Sequence, residues 1–415
     1  MTTQNDSPYM AAAYDAWLAA RDFRRRRERF KRYTYGDQWS DVVEDHQGFS
    51  VKESDLLRQR GCKPLTNNMI RQMVKTVIGR YRSTSADSGT YRADTPDRAY
   101  IADNSLLELD CRMLEEFLIS GCAIQRVSLE WRCGVRRLWI DNVDPRCFFV
   151  NSFRDPRGND IELIGMAHDL TFPEILSRFA GANLEKVAYL SNLYGVTAGD
   201  RFISAGKIIG STDTAFNDFL TAPPGRCRVI EVWSVECRKK RYTDKDNPDR
   251  KCHRLNFVWR CRWFAPNGKM LTSYDSPYAH GSHPFALKFY PLTDGEVHSF
   301  VEDVIDQQRC INRMTVLIDH IIGSSAKGVL LFPQNQKPKN VEWEDIAEAW
   351  ARTDGVIPIT GLAPTLPTQV VTPTKDIGAY ELLSLQMKLF NNISGVSDVI
   401  AGRNIPASTG EAVYE

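Results

Sequence analysis

Apolar residues recur at a helical interval through the last third of the chain. From His298 to Gly323, the residues Phe300, Val301, Val304, Ile305, Ile311, Met314, Ile318, Ile321 and Ile322 fall on one stripe. That spacing predicts a helix over 298–323 that stops at Gly323. About 26 residues at ~1.5 Å each make a rod of roughly 39 Å. A second stripe, Leu382, Leu383, Leu385, Met387, Leu389, Phe390 and Ile393, predicts a returning helix over 376–395, capped by Asp376 and closed by Gly395. The insert at 324–375 reads as strands at 328–332 and 355–359, an extended segment at 367–373 and a helix at 341–352. Residues 396–415, with Gly402, Pro406 and Gly410, read as a loop.

Earlier in the chain, the 3–4 spacing of Ala13, Trp17, Ala20, Phe23, Phe30 and Tyr33 predicts one amphipathic helix over 11–35, ended by Gly36. A polar loop follows to Pro64. Met69, Ile70, Met73, Val74, Val77 and Ile78 predict a helix over 65–82 with Asn67 or Asn68 as its cap. A third helix is expected over 98–120. Strands are expected at 122–131, 136–143, 147–151, 161–170, 226–239, 255–266, 269–275 and 283–292. Cys133-Gly134 and Asn267-Gly268 supply hairpin turns. Pro173 opens a short helix, and 185–225 reads as a surface loop. Helices followed by strands, without βαβ alternation, give an α+β lobe.

The chain has 415 residues, which predicts two or three lobes. Its net charge of +1 argues against a protein that coats nucleic acid through a general basic excess. The run Arg24 to Arg27, with Arg29, Lys31 and Arg32, suits phosphate contact, a solvated helix face or ion pairs with a neighbour. No apolar run reaches the ~18 residues of a membrane span, and the N-terminus lacks a signal-peptide pattern, so a cytosolic setting and no membrane partner are expected. The ten cysteines form no C-x-x-C pair and read as free thiols. Cys237, Cys252, His253 and Cys261 match no familiar zinc spacing, so no metal or other cofactor is expected.

Phosphate-loop, dinucleotide, zincin and nucleophile-elbow patterns are absent. His280 and His283 flank a turn and read as structural. Asp141 and Asp144 lie where turn chemistry accounts for them. No catalytic residue emerges, and the chain reads as structural or binding, not enzymatic. Trp343 and Trp350, seven apart on one helix face, either pack on the local sheet or anchor a partner.

Ordered segments resemble the portal, or head–tail connector, proteins of tailed double-stranded DNA bacteriophages. They are RYTYGDQW (32–39), PLTNNMIRQMVKTVIG (64–79), EEFLISGCAIQRV (115–127), NVDPRCFFVNSFRDP (142–156), HPFALKFYPLTDGEVHSFVEDVIDQQRCIN (283–312) and NISGVSDVIAGRNIPASTGEA (392–412). The resemblance implies a portal-like α+β architecture. Residues 1–297 would be an α/β wing, 298–323 the first stem helix, 324–375 a small α/β clip and 376–398 the second stem helix. Residues 399–415 would hold a tunnel loop and the start of the next wing helix. The chain stops where that helix would begin, so a crown is expected to be missing.

The resemblance implies a ring of twelve copies at a capsid vertex, in the virion and, during assembly, in the host cytoplasm. Double-stranded DNA would pass through it without sequence-specific contact. Terminase large subunit, a tail adaptor and major capsid or scaffolding protein would be its partners. Twelve helices about 10 Å wide, side by side, leave a bore of roughly 28 Å, enough for a duplex. Stem-lining residues would be Glu302, Asp303, Asp306, Arg309, Arg313, Asp319, Glu381 and Lys388, a mildly acidic set suited to sliding. The tunnel loop would present Ile400, Arg403, Asn404, Ile405, Pro406, Ser408 and Thr409. Arg403 would touch the DNA backbone or pair with a neighbouring subunit. Clip docking would use Trp343, Glu344, Glu348 and Trp350. Two other readings stay open: a metal-dependent DNA-processing enzyme using Asp141, Asp144 and Asp160, and a structural adaptor that never forms rings.

Overall fold

A computed structural model describes residues 7–45, 47–87, 98–132, 135–195, 219–223, 225–243, 251–325, 329–334, 337–351, 357, 359, 368–370 and 378–396. The chain divides into two compact units, one drawn from 1–35 and 73–303, the other from 36–72 and 304–397. The fold is mixed α+β, and the paired strands are antiparallel.

In the first unit the predicted 11–35 helix is two helices, α1 (Ser7–Ala19) and α2 (Arg21–Tyr35). The break has a local cause. Arg24 lies over the Trp17 ring, 3.7 Å from its centroid, and donates to the Trp17 carbonyl, meeting an acceptor that the end of α1 leaves open. The predicted 98–120 helix also breaks, into α5 (Arg98–Asp103) and α6 (Leu106–Ser120). Asn104 is diverted to β4 (Val135–Asn142). Its Nδ2 donates to Leu138 O at 3.0 Å and its Oδ1 accepts from Ile140 N at 2.9 Å.

β3 (Cys122–Arg132) pairs with β4 as predicted, and β10 (Phe285–Phe289) completes a sheet ordered β10-β3-β4. The Cys133-Gly134 turn lies outside the described residues. The larger sheet runs β5-β6-β7-β8-β9: Phe148–Val150, Leu163–Leu170, Cys227–Thr243, Lys251–Phe264 and Met270–Asp275. At Gly165 a Cβ would collide with the Glu231 backbone and the Phe149 ring, so the β6–β7 crossing tolerates only glycine. Trp233, Trp263, Ile164, Val229 and Phe285 share one core cluster, and Trp17, Phe149, Phe219 and Phe264 another.

The region at 185–225 is not all loop. Helix α8 (Leu184–Tyr194) starts at Asn183, whose side chain accepts from Glu185 N and Lys186 N. Residues 196–218 lie outside the described residues. The short helix at Pro173 is α7 (Phe172–Ile175), continued by a π-helical turn to Ala180.

In the second unit the polar loop before Pro64 contains a small hairpin, β1 (Val42–Glu44) with β2 (Ser50–Lys52), and helix α3 (Glu53–Gln59). Three-residue strands carry too little alternation to register in the sequence pattern. Helix α4 (Met69–Asp87) begins later than predicted and passes the division between units. Asn68 caps it, accepting from Arg71 N at 3.0 Å.

The long helix α9 (Phe300–Ser325) runs through Gly323, where a stop was expected. Glycine lowers helix stability by only ~1 kcal/mol, which the rest of the helix absorbs. β13 (Val329–Leu331) pairs with β14 (Thr368–Val370), and α10 (Trp343–Ala351) lies between them in sequence. Of the strand expected at 355–359, Ile357 and Ile359 are described, and neither is in a strand. Pro358 between them supplies no N–H to a ladder. Helix α11 (Ala379–Ser394) starts three residues after the expected cap. Gly378, at φ 67°, takes that position, and Gly395, at φ 66°, ends the helix as expected. Asp376 is outside the described residues.

Candidate functional site

The candidate site is the long helix α9 with α11 and α10. Ser299 opens α9, accepting from Glu302 N at 2.9 Å. Val301, Val304, Ile305 and Ile311 of its apolar stripe are buried, as is Val316, and so are two amides among them, Gln308 and Asn312.

Within the second unit these amides form a clasp. Gln308 Oε1 accepts from Met69 N at 2.9 Å and Ile70 N at 3.2 Å, meeting two of the open donors at the start of α4. Its Nε2 donates to Asn67 O at 2.6 Å and to Asn312 Oδ1 at 3.0 Å. Asn312 Nδ2 donates to Gln38 Oε1 at 2.6 Å, and Gln38 Nε2 to Asn68 Oδ1 at 3.2 Å. Sequence reasoning missed this clasp. The available signal was two amides four apart on an otherwise apolar face.

The expected stem-lining residues divide. Arg309 and Arg313 both pair with Glu53, at 3.3 and 2.9 Å. Glu302 lies 3.7 Å from Arg26 and 3.2 Å from His298. Asp303, Asp306 and Asp319 are exposed, as are Glu381 and Lys388 on α11. Partial burial, with Glu302 beside it, pushes the Asp303 carboxyl above its ordinary value. On α11, Tyr380, Leu382, Leu385, Leu389 and Ile393 are exposed while Phe390 is buried.

On α10, Trp343 is exposed and Trp350 half-buried, with Ile346 buried between them. The Trp343 ring meets Phe332 edge-on at 6.1 Å, and Lys337 Nζ lies 5.2 Å from its centroid. Trp343 therefore packs locally and faces solvent at once. Glu344 and Glu348 are exposed. Ile400, Arg403, Asn404, Ile405, Pro406, Ser408 and Thr409 all lie outside the described residues.

The carboxylates of the enzyme reading are separately engaged. Asp141 pairs with Arg132, and Asp144 with Arg146 at 2.7 Å. Asp160 accepts from the backbone N–H groups of Arg154 and Asp155. Among the described residues no group of three His, Cys, Asp or Glu could hold a metal. In the β7–β8 register Cys237 stands opposite Phe257 and Cys252 opposite Tyr242, so the ladder keeps the two cysteines apart.

The basic α2 run is partly internal. Arg27 is buried and makes two 2.7 Å bonds to Glu116, whereas Arg25 is exposed beside Asp22. Elsewhere in the first unit, fully buried Glu231 accepts from Arg126 Nε at 3.0 Å and Trp233 Nε1 at 2.9 Å, and lies 2.7 Å from His168 Nε2. Burial raises its carboxyl, but Arg126 and His168 outweigh burial and hold it far below the usual carboxylate range. This polar cluster is structural in form: each charge faces a fixed counter-charge.

The protein-family model described as Phage P22-like portal protein matches residues 151–415. The chain belongs to that family. No curated protein matches the chain. The matched span takes in β6 to β10, the hairpin of β11 (Pro291–Thr293) and β12 (Glu296–Val297), β13, β14 and α7 to α11. The portal-like segments at 32–39, 64–79 and 115–127 precede it. Membership gives the chain a phage portal role, a structural one. No helix among the described residues is long and apolar enough to cross a membrane.

Proposed function

We propose that copies of this chain form a ring, of twelve subunits as in the portal pattern, through which double-stranded DNA enters and leaves a phage head. The strand-rich first unit acts as wing, α9 and α11 as the two stem helices, and the segment between them as clip. One observation carries this reading: the apolar row Leu382, Leu385, Leu389 and Ile393 faces solvent along α11 in the single chain. Uncovered apolar rows of that kind mark contact surfaces. Neighbouring copies would cover it.

The charges facing solvent support passage over grip. Glu53 already engages Arg309 and the exposed Arg313, and Asp303, Asp306 and Asp319 are exposed carboxylates on α9. An acidic wall does not neutralise phosphates, so a duplex slides. Arg403 in the tunnel loop would be the transient backbone contact. Trp343, with Glu344 and Glu348, would dock terminase large subunit during filling and a tail adaptor afterwards. Capsid or scaffolding protein would hold the ring at its vertex in the virion.

Negative-stain imaging of the purified chain tests the ring. Annular particles with a central hole wide enough for a duplex are expected. Single compact particles at every concentration, unchanged by added DNA or capsid protein, would remove the proposal.

A further inference from the structure

Strand β10 is an edge of its sheet, paired with β3 on one side. Just beyond its two ends, Val127 N donates to Pro284 O at 2.8 Å and Tyr290 N to Gly121 O at 2.9 Å. Hydrogen-bonded positions alternate along an antiparallel ladder, so Ala286 and Lys288 turn their backbone groups to β3. Phe285, Leu287 and Phe289 turn theirs away. Phe285 N donates to His283 Nδ1 at 3.3 Å. The Leu287 N–H and C=O and the Phe289 N–H meet no partner among the described residues. Such a row is a template for another strand.

A groove of about 820 Å³ opens beside this edge. Leu287, Phe289, Phe153 and Ile161 line it, together with Leu129 and Leu138 of the β3–β4 pair. Leu129 stands opposite Leu138, and Trp131 follows on the same face, opposite Arg136. Leu129 is 52% exposed and Trp131 71%. Open apolar surface beside unpaired backbone marks a place where another chain docks.

Charge narrows the partner. Among the described residues no carboxylate lines the groove. Arg157 lines it, and Asp155 already holds Arg157 at 3.0 Å. Arg136 and Lys288 lie on the face of Trp131. Both are exposed, and neither is in an ion pair among the described residues. Their register partners on β3, Trp131 and Ala123, are roughly 26 Å apart at ~3.3 Å per residue. An extended segment of about nine residues spans that length. Carboxylates on it would complement both cations, whereas a basic segment would be repelled by them.

We propose that the free edge of β10 and the groove beside it are a docking site for an extended acidic–apolar segment of a partner protein, which adds to β10 as a further strand. The segment's backbone bonds Leu287 and Phe289, its apolar side chains cover Leu129 and Trp131, and its carboxylates meet Arg136 and Lys288. The proposal stands whether or not copies form a ring. A second copy of this chain is the rival occupant, and the test separates the two.

Fluorescence anisotropy on the purified chain reads the docking. The probe is a labelled nine-residue peptide that alternates glutamate with valine or phenylalanine and is blocked at both ends. In strand addition only every second peptide nitrogen faces β10, so N-methylation of one alternate set should abolish binding and of the other should change it by less than ~3-fold. Leu129→Ser with Trp131→Ser should weaken binding by ~10-fold or more. Arg136→Glu with Lys288→Glu should weaken it by about 10-fold at low salt, and a peptide with lysine in place of glutamate should recover the loss. All four side chains are exposed, and circular dichroism checks that the variants fold. Absence of binding, equal loss from both methylated sets, or folded variants that bind as wild type does overturns the proposal. So does self-association of the wild type that the serine variant loses and the peptide does not compete with, which would assign the edge to a second copy.

Discussion

The two units meet the demands of burial with a different balance of charged and neutral groups. In the first, charged side chains go deep and find fixed partners: Arg126 with Glu231, Arg27 with Glu116, Arg228 with Asp169. Its core holds Trp233 and Trp263 fully buried. In the second, the Gln308–Asn312 clasp is neutral, Glu53 is the buried carboxylate, paired with Arg309 and Arg313, and α11 leaves a row of apolar side chains in solvent. The first unit therefore carries its specificity internally, through charges that fit one arrangement of strands. The second holds a helix in place and leaves apolar surface for something else to cover. In the proposed ring that cover is another copy.

The sharpest way to break the contrast is in the first unit. Glu231→Ala leaves Arg126 buried without its main counter-charge and should lower stability by ~3–5 kcal/mol in denaturant unfolding. A loss under ~1 kcal/mol would mean that the buried pair does not organise this unit.

Acid should also act there. His283 is held down to about 4, first by burial and then by the His280 charge. A depressed imidazole favours the fold while neutral. Its contribution is complete above its ordinary value of 6.5 and is lost as pH falls from there to about 4. The loss amounts to at most ~3 kcal/mol. His283→Gln should flatten that part of the stability–pH curve, and a slope identical to wild type would reject the assignment.

The second unit should respond less. Gln308→Ala removes the side-chain partner of Ile70 N and one of the partners of Met69 N and Asn67 O, and should cost about 2 kcal/mol, seen also as faster amide exchange at Ile70. Leu385→Ser with Leu389→Ser should change the stability of the isolated chain by only ~0.5 kcal/mol. A large loss of stability in that pair would mean the row is already packed within one subunit.

The same contrast explains what the sequence made legible. The β3–β4 and β8–β9 hairpins and α9 were readable because alternation or a long stripe is written into consecutive residues. The break at Asn104 was not, because its cause is the backbone of β4, some 35 residues on. The split at Ala20 was hidden for a related reason: Arg24 looked like one of a run of surface arginines and instead covers Trp17. In the candidate site the acidic residues of α9 were read as lining a channel; in the single chain Asp303, Asp306 and Asp319 are exposed and Glu302 is half-buried. Arg309 and Arg313 were grouped with them because helical spacing names a face but not the partner waiting there, and Glu53 lies far away in sequence. Gln308 and Asn312 were passed over as polar interruptions, although amides four apart inside an apolar stripe are a readable mark of a buried network.

Native mass spectrometry of the wild-type chain beside the Leu385→Ser, Leu389→Ser variant weighs the central claim most directly. Wild type should appear as a closed homo-oligomer of one size, about twelve subunits, and the variant, folded by circular dichroism, as monomer. A wild-type monomer across the accessible concentration range, or a variant that assembles as wild type does, would contradict the claim that the solvent-facing row on α11 joins copies of this chain around a shared channel.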